Sequence, residues 1–205
     1  MRNIINKIRN FKKEDEGSIV IEAIIILPLL VTVFVSMMVF FDAFRARGIN
    51  KKAAYTISDL ISREKLMVGD DYVEGMHAMF DFIVGSNRPT QIRVTMFQFD
   101  TEDPDDETDG RYVLIGSHGT GDTPDLDEDE LNEMADRIPI LDHGRTAFLV
   151  ETRSHYVPGF RKFEIVERGT NNLSSIQIIP PFDIKNMIVT TTRFTPPCWE
   201  SCIGG

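Results

Sequence analysis

Gly17-Ser18-Ile19-Val20-Ile21-Glu22, continued by Ala23-Ile24-Ile25-Ile26-Leu27-Pro28-Leu29-Leu30 and an apolar run to Phe41, decides how the rest of the chain is read. Ser18 to Phe41 is 24 residues long and Glu22 is its only charge. As a helix rising 1.5 Å per residue it spans about 36 Å, enough to cross a hydrocarbon core of about 30 Å. The segment therefore reads as a transmembrane helix at 18–41. A carboxylate inside such a segment is costly enough to default to a functional reading. A plainer account of Glu22, a carboxylate near the interface whose side chain reaches water, stands beside it.

Upstream, residues 1–17 carry Arg2, Lys7, Arg9, Lys12 and Lys13 against Glu14, Asp15 and Glu16, so the net charge of −10 arises downstream. Arg45, Arg47, Lys51 and Lys52 follow the apolar run. The basic residues on both sides leave only a slight bias toward a cytoplasmic amino terminus. The run exceeds a signal-peptide core of about 7 to 15 residues, and Asp42-Ala43-Phe44-Arg45 replaces a small-residue cleavage site, so retention is expected. An acidic chain argues against nucleic acid, whose phosphates need clustered Lys and Arg. No dinucleotide fingerprint, P-loop or His-Glu-x-x-His motif occurs, and no cofactor is implied.

Helical periodicity continues past Phe41. Ile49, Ala53, Ile57, Leu60 and Ile61 form an apolar stripe, with Arg47, Lys51, Lys52, Ser58 and Glu64 assigned to the water side. This predicts one helix over 18–65, with Pro28 kinking it or loosening one turn and Gly48 as a second soft point. Gly69-Asp70-Asp71 opens a second helix that ends near Gly85, and Thr123-Pro124 with Asp127 opens a third, burying Leu131, Met134, Ala135 and Ile138. Strands are expected over 91–99, 111–117, 146–156 and 185–194, with a loop-like region over 167–181. The fold class is α+β: a long amino-terminal helix continuing over 42–65 into a small domain, 42–205, with a mostly antiparallel sheet.

Four features invite chemistry. Asp105-x-Glu107-x-Asp109-Gly110 mimics the start of a calcium loop, but the twelfth position is Gly116, so a solvated hairpin loop is the simpler account. The acidic run Asp125–Glu130 suits a helix amino terminus. Within Gly116-Ser117-His118-Gly119-Thr120-Gly121, adjacency of Ser117 and His118 is not a catalytic geometry and no P-loop lysine follows, which favours a glycine-rich turn. Cys198 and Cys202, the only cysteines, flank Trp199 and fit a short disulfide in an oxidising compartment, with reduced thiols or a metal as alternatives. No catalytic residue is assigned, and His77, His143 and His155 read as structural or exposed.

The basic leader, Gly17 to Glu22 and the Pro28-containing helix resemble the class III signal of type IV prepilins and pseudopilins. Residues 17–64, with Ile26-Leu27-Pro28-Leu29-Leu30 and Arg45-x-Arg47 to Ala53-Ala54, resemble the TadE family of tight adherence (Flp-type IVb) pilus assembly proteins. Val150-Glu151-Thr152 to Tyr156-Val157-Pro158 is similar to a feature of that family's extracytoplasmic part. The resemblance implies cleavage after Gly17 by a membrane-embedded prepilin peptidase, freeing the amine of Ser18. Glu22, four residues on, would meet that ammonium in its own or a neighbouring subunit and set the register between helices. It also implies a pilin-like fold and partners among other pilins and pseudopilins, an inner-membrane assembly platform and the lipid bilayer. The expected location is the bacterial inner membrane, single-pass, with a cytoplasmic leader and a periplasmic domain, or the pilus itself. The alternative is an unprocessed single-pass protein whose outer domain binds a ligand or acts as an enzyme.

Overall fold

Residue order along the first helix, α1, already separates two environments. α1 runs over Glu16–Ser62 with Pro28 inside it, so the predicted single helix is present, ending three residues early at a turn where Arg63 and Glu64 amides reach back to Leu60 and Ile61 carbonyls. The computed structural model describes residues 16–85, 89–101, 110–159, 163–166, 173–176 and 180–200. It divides into two compact units, Met1–Asp42 with Gly159–Ile179, and Ala43–Pro158 with Pro180–Gly205.

In the first unit, α1 from Ile21 to Phe41 presents apolar side chains all round, Ile24, Leu27, Met37 and Phe41 among them. The same unit holds β5, Phe163–Val166, and β6, Leu173–Ile176, paired antiparallel with Phe163 opposite Ile176 and Val166 opposite Leu173. This corrects the expectation of a loop over 167–181 at 173–176, where Leu173-Ser-Ser-Ile is too brief to show alternation; 167–172 and 177–179 lie outside the described residues.

The second unit is an α+β head. After α1 come β1 (Met67–Val68), α2 (Asp70–Val84), β2 (Thr90–Asp100) and β3 (Arg111–Gly119). α3 (Glu128–Glu133) leads into a 3-10 turn, Ala135–Arg137, then β4 (Thr146–Tyr156), β7 (Phe182–Thr191) and β8 (Cys198–Trp199). The four long strands make an antiparallel sheet in the order β3-β2-β4-β7, and β1 pairs with β8 in parallel. α2 is closed by Gly85, whose φ of 67° places it in the left-handed region that suits glycine. Its predicted start holds, although the Gly69 cap supplies no side-chain hydrogen bond. α3 starts where Asp127 accepts from the Glu130 amide at 2.7 Å, with acidic residues in its first turn as expected.

Alternation along β2 and β4 gives the sheet two apolar faces. Ile92, Val94 and Met96 with Phe148 and Val150 pack on one side with Ala53, Ile57 and Ile61 of α1 and with Val73 and Phe80 of α2. Phe97, Phe99, Tyr112, Ala147 and Leu149 occupy the other side with Leu126, Leu131 and Ile138. Each fully buried Ile or Phe is stabilised by about 1.5–3 kcal/mol relative to exposure. Ser58, expected on the water side, is buried beside Ala54 and Ser62, because the strip α1 buries is two rows wide, the second made of small residues. Of the residues expected under α3, Leu131 and Ile138 are buried, Met134 is half-buried and Ala135 is exposed where the 3-10 turn rotates the face.

The Gly116–Gly121 stretch is not wholly a turn, and this too is a correction. Gly116 and Gly119 lie in β3, and only Gly121, at φ 64°, makes the turn. A Cβ on Gly116 would sit 2.3 Å from the Trp199 indole, and one on Gly119 2.2 Å from the Thr123 carbonyl oxygen. Glycine is needed in the strand because other groups approach its backbone closely.

Candidate functional site

The apolar half of α1 is the first candidate. It belongs to the only helix among the described residues long and apolar enough to cross a membrane, with a mean hydropathy of 2.8 over an 18-residue stretch. Gly17, Ser18, Glu22 and Pro28 all lie in α1, and Glu22 is exposed. At Pro28 the missing amide does not end the helix. The Thr32 hydroxyl donates to the Pro28 carbonyl at 2.8 Å and Ser36 donates to the Thr32 carbonyl at 2.8 Å, so both hydroxyls are satisfied inside the helix.

In the head, polar side chains gather in three places. His118 Nδ1 lies 3.1 Å from Asp70 and its Nε2 lies 3.6 Å from Glu74, while His77 Nε2 meets the Thr90 carbonyl at 2.9 Å. Thr90 in turn donates to Asp81. Ser117, on the opposite face of β3 from His118, hydrogen-bonds the Thr95 hydroxyl at 2.8 Å and accepts from the Leu126 amide at 2.9 Å. Adjacent strand residues point apart, so Ser117 and His118 form no nucleophile–base pair. At the β4–β7 edge, hydrogen bonds from His155 and Arg153 hold the Asp183 carboxyl below the usual carboxylate range. In the first turn of α2, burial and the neighbouring Glu64 carboxylate push the Tyr72 phenol up to about 12.

The third place is a concavity of about 360 Å³ at one end of the sheet, on the α3 side but beyond the apolar cluster. Strand alternation puts Gln91 and Arg93 of β2, Glu151 and Arg153 of β4, and Lys185 and Met187 of β7 on this face, and Arg137 joins them. Arg93 is held by Glu151 at 2.5 Å and Arg153 by Asp183 at 2.5 Å. Arg137 and Lys185 are exposed and make no ion pair among the described residues. Four cationic side chains line it against the carboxylates of Asp122 and Glu151, a local excess of positive charge in a chain of net −10.

Sequence reading missed this face. Its signal was the shared odd numbering of Gln91, Arg93, Glu151, Arg153 and Lys185, which becomes a site only when the register sets Arg93 opposite Glu151 and Arg153 opposite Lys185.

Asp105, Glu107 and Asp109, the calcium candidates, lie outside the described residues, as does Cys202 and with it the pairing to Cys198. Among the described residues no group of three or more His, Cys, Asp or Glu side chains is placed to hold a metal ion. Compared with protein-family models, with curated proteins and with solved structures, the chain matches none.

Proposed function

We propose that this protein is a minor pilin or pseudopilin-like component in the assembly of a tight adherence type IV pilus, supporting surface attachment. The observation that supports this most is the division of α1. One helix offers apolar side chains on every side from Ile21 to Phe41 and a buried stripe from Ala53 to Ile61. That is the form needed by a subunit that waits in a bilayer and then packs its helix against others. In this reading prepilin peptidase cuts after Gly17, the leader stays cytoplasmic, the head is periplasmic and Glu22 meets a Ser18 ammonium. A Cys198–Cys202 disulfide belongs to the same reading, since the periplasm permits it.

Mass spectrometry of the mature protein tests the processing step. Ser18 as first residue, lost in a peptidase-null strain, is expected; an intact leader on functional protein would sink it. Glu22→Ala is expected to be cleaved normally yet to reduce pilus number and adhesion, and unchanged piliation would remove the pairing role. The concavity favours a second reading, an unprocessed single-pass protein whose head binds a ligand, and the same mass measurement separates the two.

A further inference from the structure

We propose that the basic concavity seats the phosphodiester of an anionic phospholipid headgroup, gripped by Arg137 and Lys185. Two of its four cations are already engaged. Arg93 donates from Nε and Nη2 to Glu151 at 2.7 and 2.5 Å and from Nη1 to the Pro124 carbonyl at 3.3 Å. Arg153 donates from Nε and Nη2 to Asp183 at 2.9 and 2.5 Å. Arg137 and Lys185 are exposed and make no ion pair among the described residues, and the remaining carboxylate of the lining, Asp122, is exposed too. Four cations against Glu151, Asp183 and Asp122 leave one positive charge uncompensated. That complements a singly charged phosphodiester rather than a doubly charged phosphate ester. Beside them Gln91 accepts from the Thr123 hydroxyl at 3.0 Å, so its amide nitrogen is left to donate. The volume of about 360 Å³ is small for a ligand pocket, which runs to about 300–1,000 Å³, and suits a headgroup without its acyl chains.

Position within the head selects a lipid. Tyr156 at the end of β4 and Phe182 at the start of β7 are register partners that pack with Ala43 and Ala46 of α1, and Arg47 lies over the Phe182 ring at 5.1 Å. Ala43 follows the end of the apolar run by two residues. Residues 43–47 therefore rise only about 3–9 Å beyond Phe41, through the depth of a headgroup layer of about 5–8 Å. Arg153 and Lys185, also register partners, stand three residues along from Tyr156 and Phe182, about 10 Å. A long cationic side chain shortens that distance to less than the Debye length of about 8 Å, over which an anionic surface attracts Lys and Arg. An anchored head meets headgroups at high effective concentration, whereas a free anion has no such help against a chain of net −10. The site rests on α1 lying in a bilayer, and on neither cleavage after Gly17 nor a pilus.

The test reconstitutes the full-length chain into nanodiscs of phosphatidylglycerol and phosphatidylcholine in equal parts, washes it with detergent and counts the retained lipid by mass spectrometry. Phosphatidylglycerol should be kept over phosphatidylcholine about tenfold, and Arg137→Glu with Lys185→Glu should bring the ratio close to one. Lys51→Glu with Lys52→Glu makes the same change of charge on an exposed stretch of α1 outside the concavity, and should leave the ratio within about twofold of the starting chain. Arg137→Lys with Lys185→Arg should keep the preference. Equal melting of the head by circular dichroism across the set separates loss of binding from loss of fold. Equal loss in the two Glu pairs, or no preference in the starting chain, overturns the headgroup site. So does displacement of phosphatidylglycerol by inorganic phosphate at the lipid's own concentration, which would assign the concavity to free phosphate. Failure to insert even into phosphatidylcholine alone, read before any preference is measured, removes the membrane reading and the site with it.

Discussion

The two halves of α1 are built from similar apolar residues and bury them in opposite ways. From Ile21 to Phe41 almost every side chain is exposed; from Ala53 to Ile61 the stripe facing the sheet is fully buried. The first half is apolar on all sides and suits a solvent that is itself apolar, where composition is enough. The second half is apolar on a strip that must match the shapes of Ile92, Val94 and Phe148, while Lys51, Lys52 and Thr56 face water. One helix thus obeys two rules of burial, and the change comes near Asp42 and Arg45, where charged residues first return.

The largest expected effect tests that contrast directly. Ile57→Asp places an unpaired charge in the head core and should cost at least about 4 kcal/mol, enough to unfold it by circular dichroism. Ile25→Ser, in the exposed half, should leave the head's melting within about 0.5 kcal/mol of the parent. Equal losses from the two changes would break the comparison. A smaller effect separates shape from composition. Gly116→Ala drives a methyl into the Trp199 indole and should cost about 1–3 kcal/mol. Since Trp199 is the only tryptophan, its fluorescence should shift as the ring moves. Exchanging Leu29 for Ile in the lipid-suited half should change neither signal.

The smallest effect is electrostatic and belongs to the head alone. Because His155 and Arg153 hold the Asp183 carboxyl low, the stability it contributes is present above the unfolded carboxylate value of about 3.9. It is lost as pH falls through the lower folded value. Asp183→Asn should flatten the fall in urea midpoint over that acid range while leaving the Ile25→Ser comparison untouched; an unchanged acid slope would show that the edge cluster does not contribute.

Legibility followed the length of each pattern. Forty-seven residues of α1 and the alternation of β2 and β4 could be read because many positions repeat one period. β5, β6, β1 and β8 run two to four residues, too short to carry a period, and the partners β1 and β8 are also distant in sequence. Gly116 looked like a turn residue because nothing local marks the arrival of Trp199, 83 positions later, at its backbone. Ser58 was misassigned because polarity suggested water, whereas its small size suits the second row of the buried strip. Gly17, Ser18 and Glu22 stood out by spacing and Pro28 as a break in an apolar helix; their lying in α1 leaves their roles to the resemblance. The basic concavity stayed hidden until register aligned three strands.

One seam in the head also bears on when the protein can fold. Arg193 donates its amide to the Ser62 carbonyl at 2.9 Å and its guanidinium to Asp59 at 2.5 Å, and just beyond, the Cys198 and Glu200 amides reach Leu66 and Val68. The last turn of α1 is therefore completed by residues more than 130 positions away. A ribosome releases those residues only after every long strand has emerged, so the last turn of α1 cannot be sealed until synthesis is nearly over. A chain truncated before Arg193 keeps the strands that cover Ala53, Ile57 and Ile61 but loses the partner of the Ser62 carbonyl and of Asp59 at the end of α1.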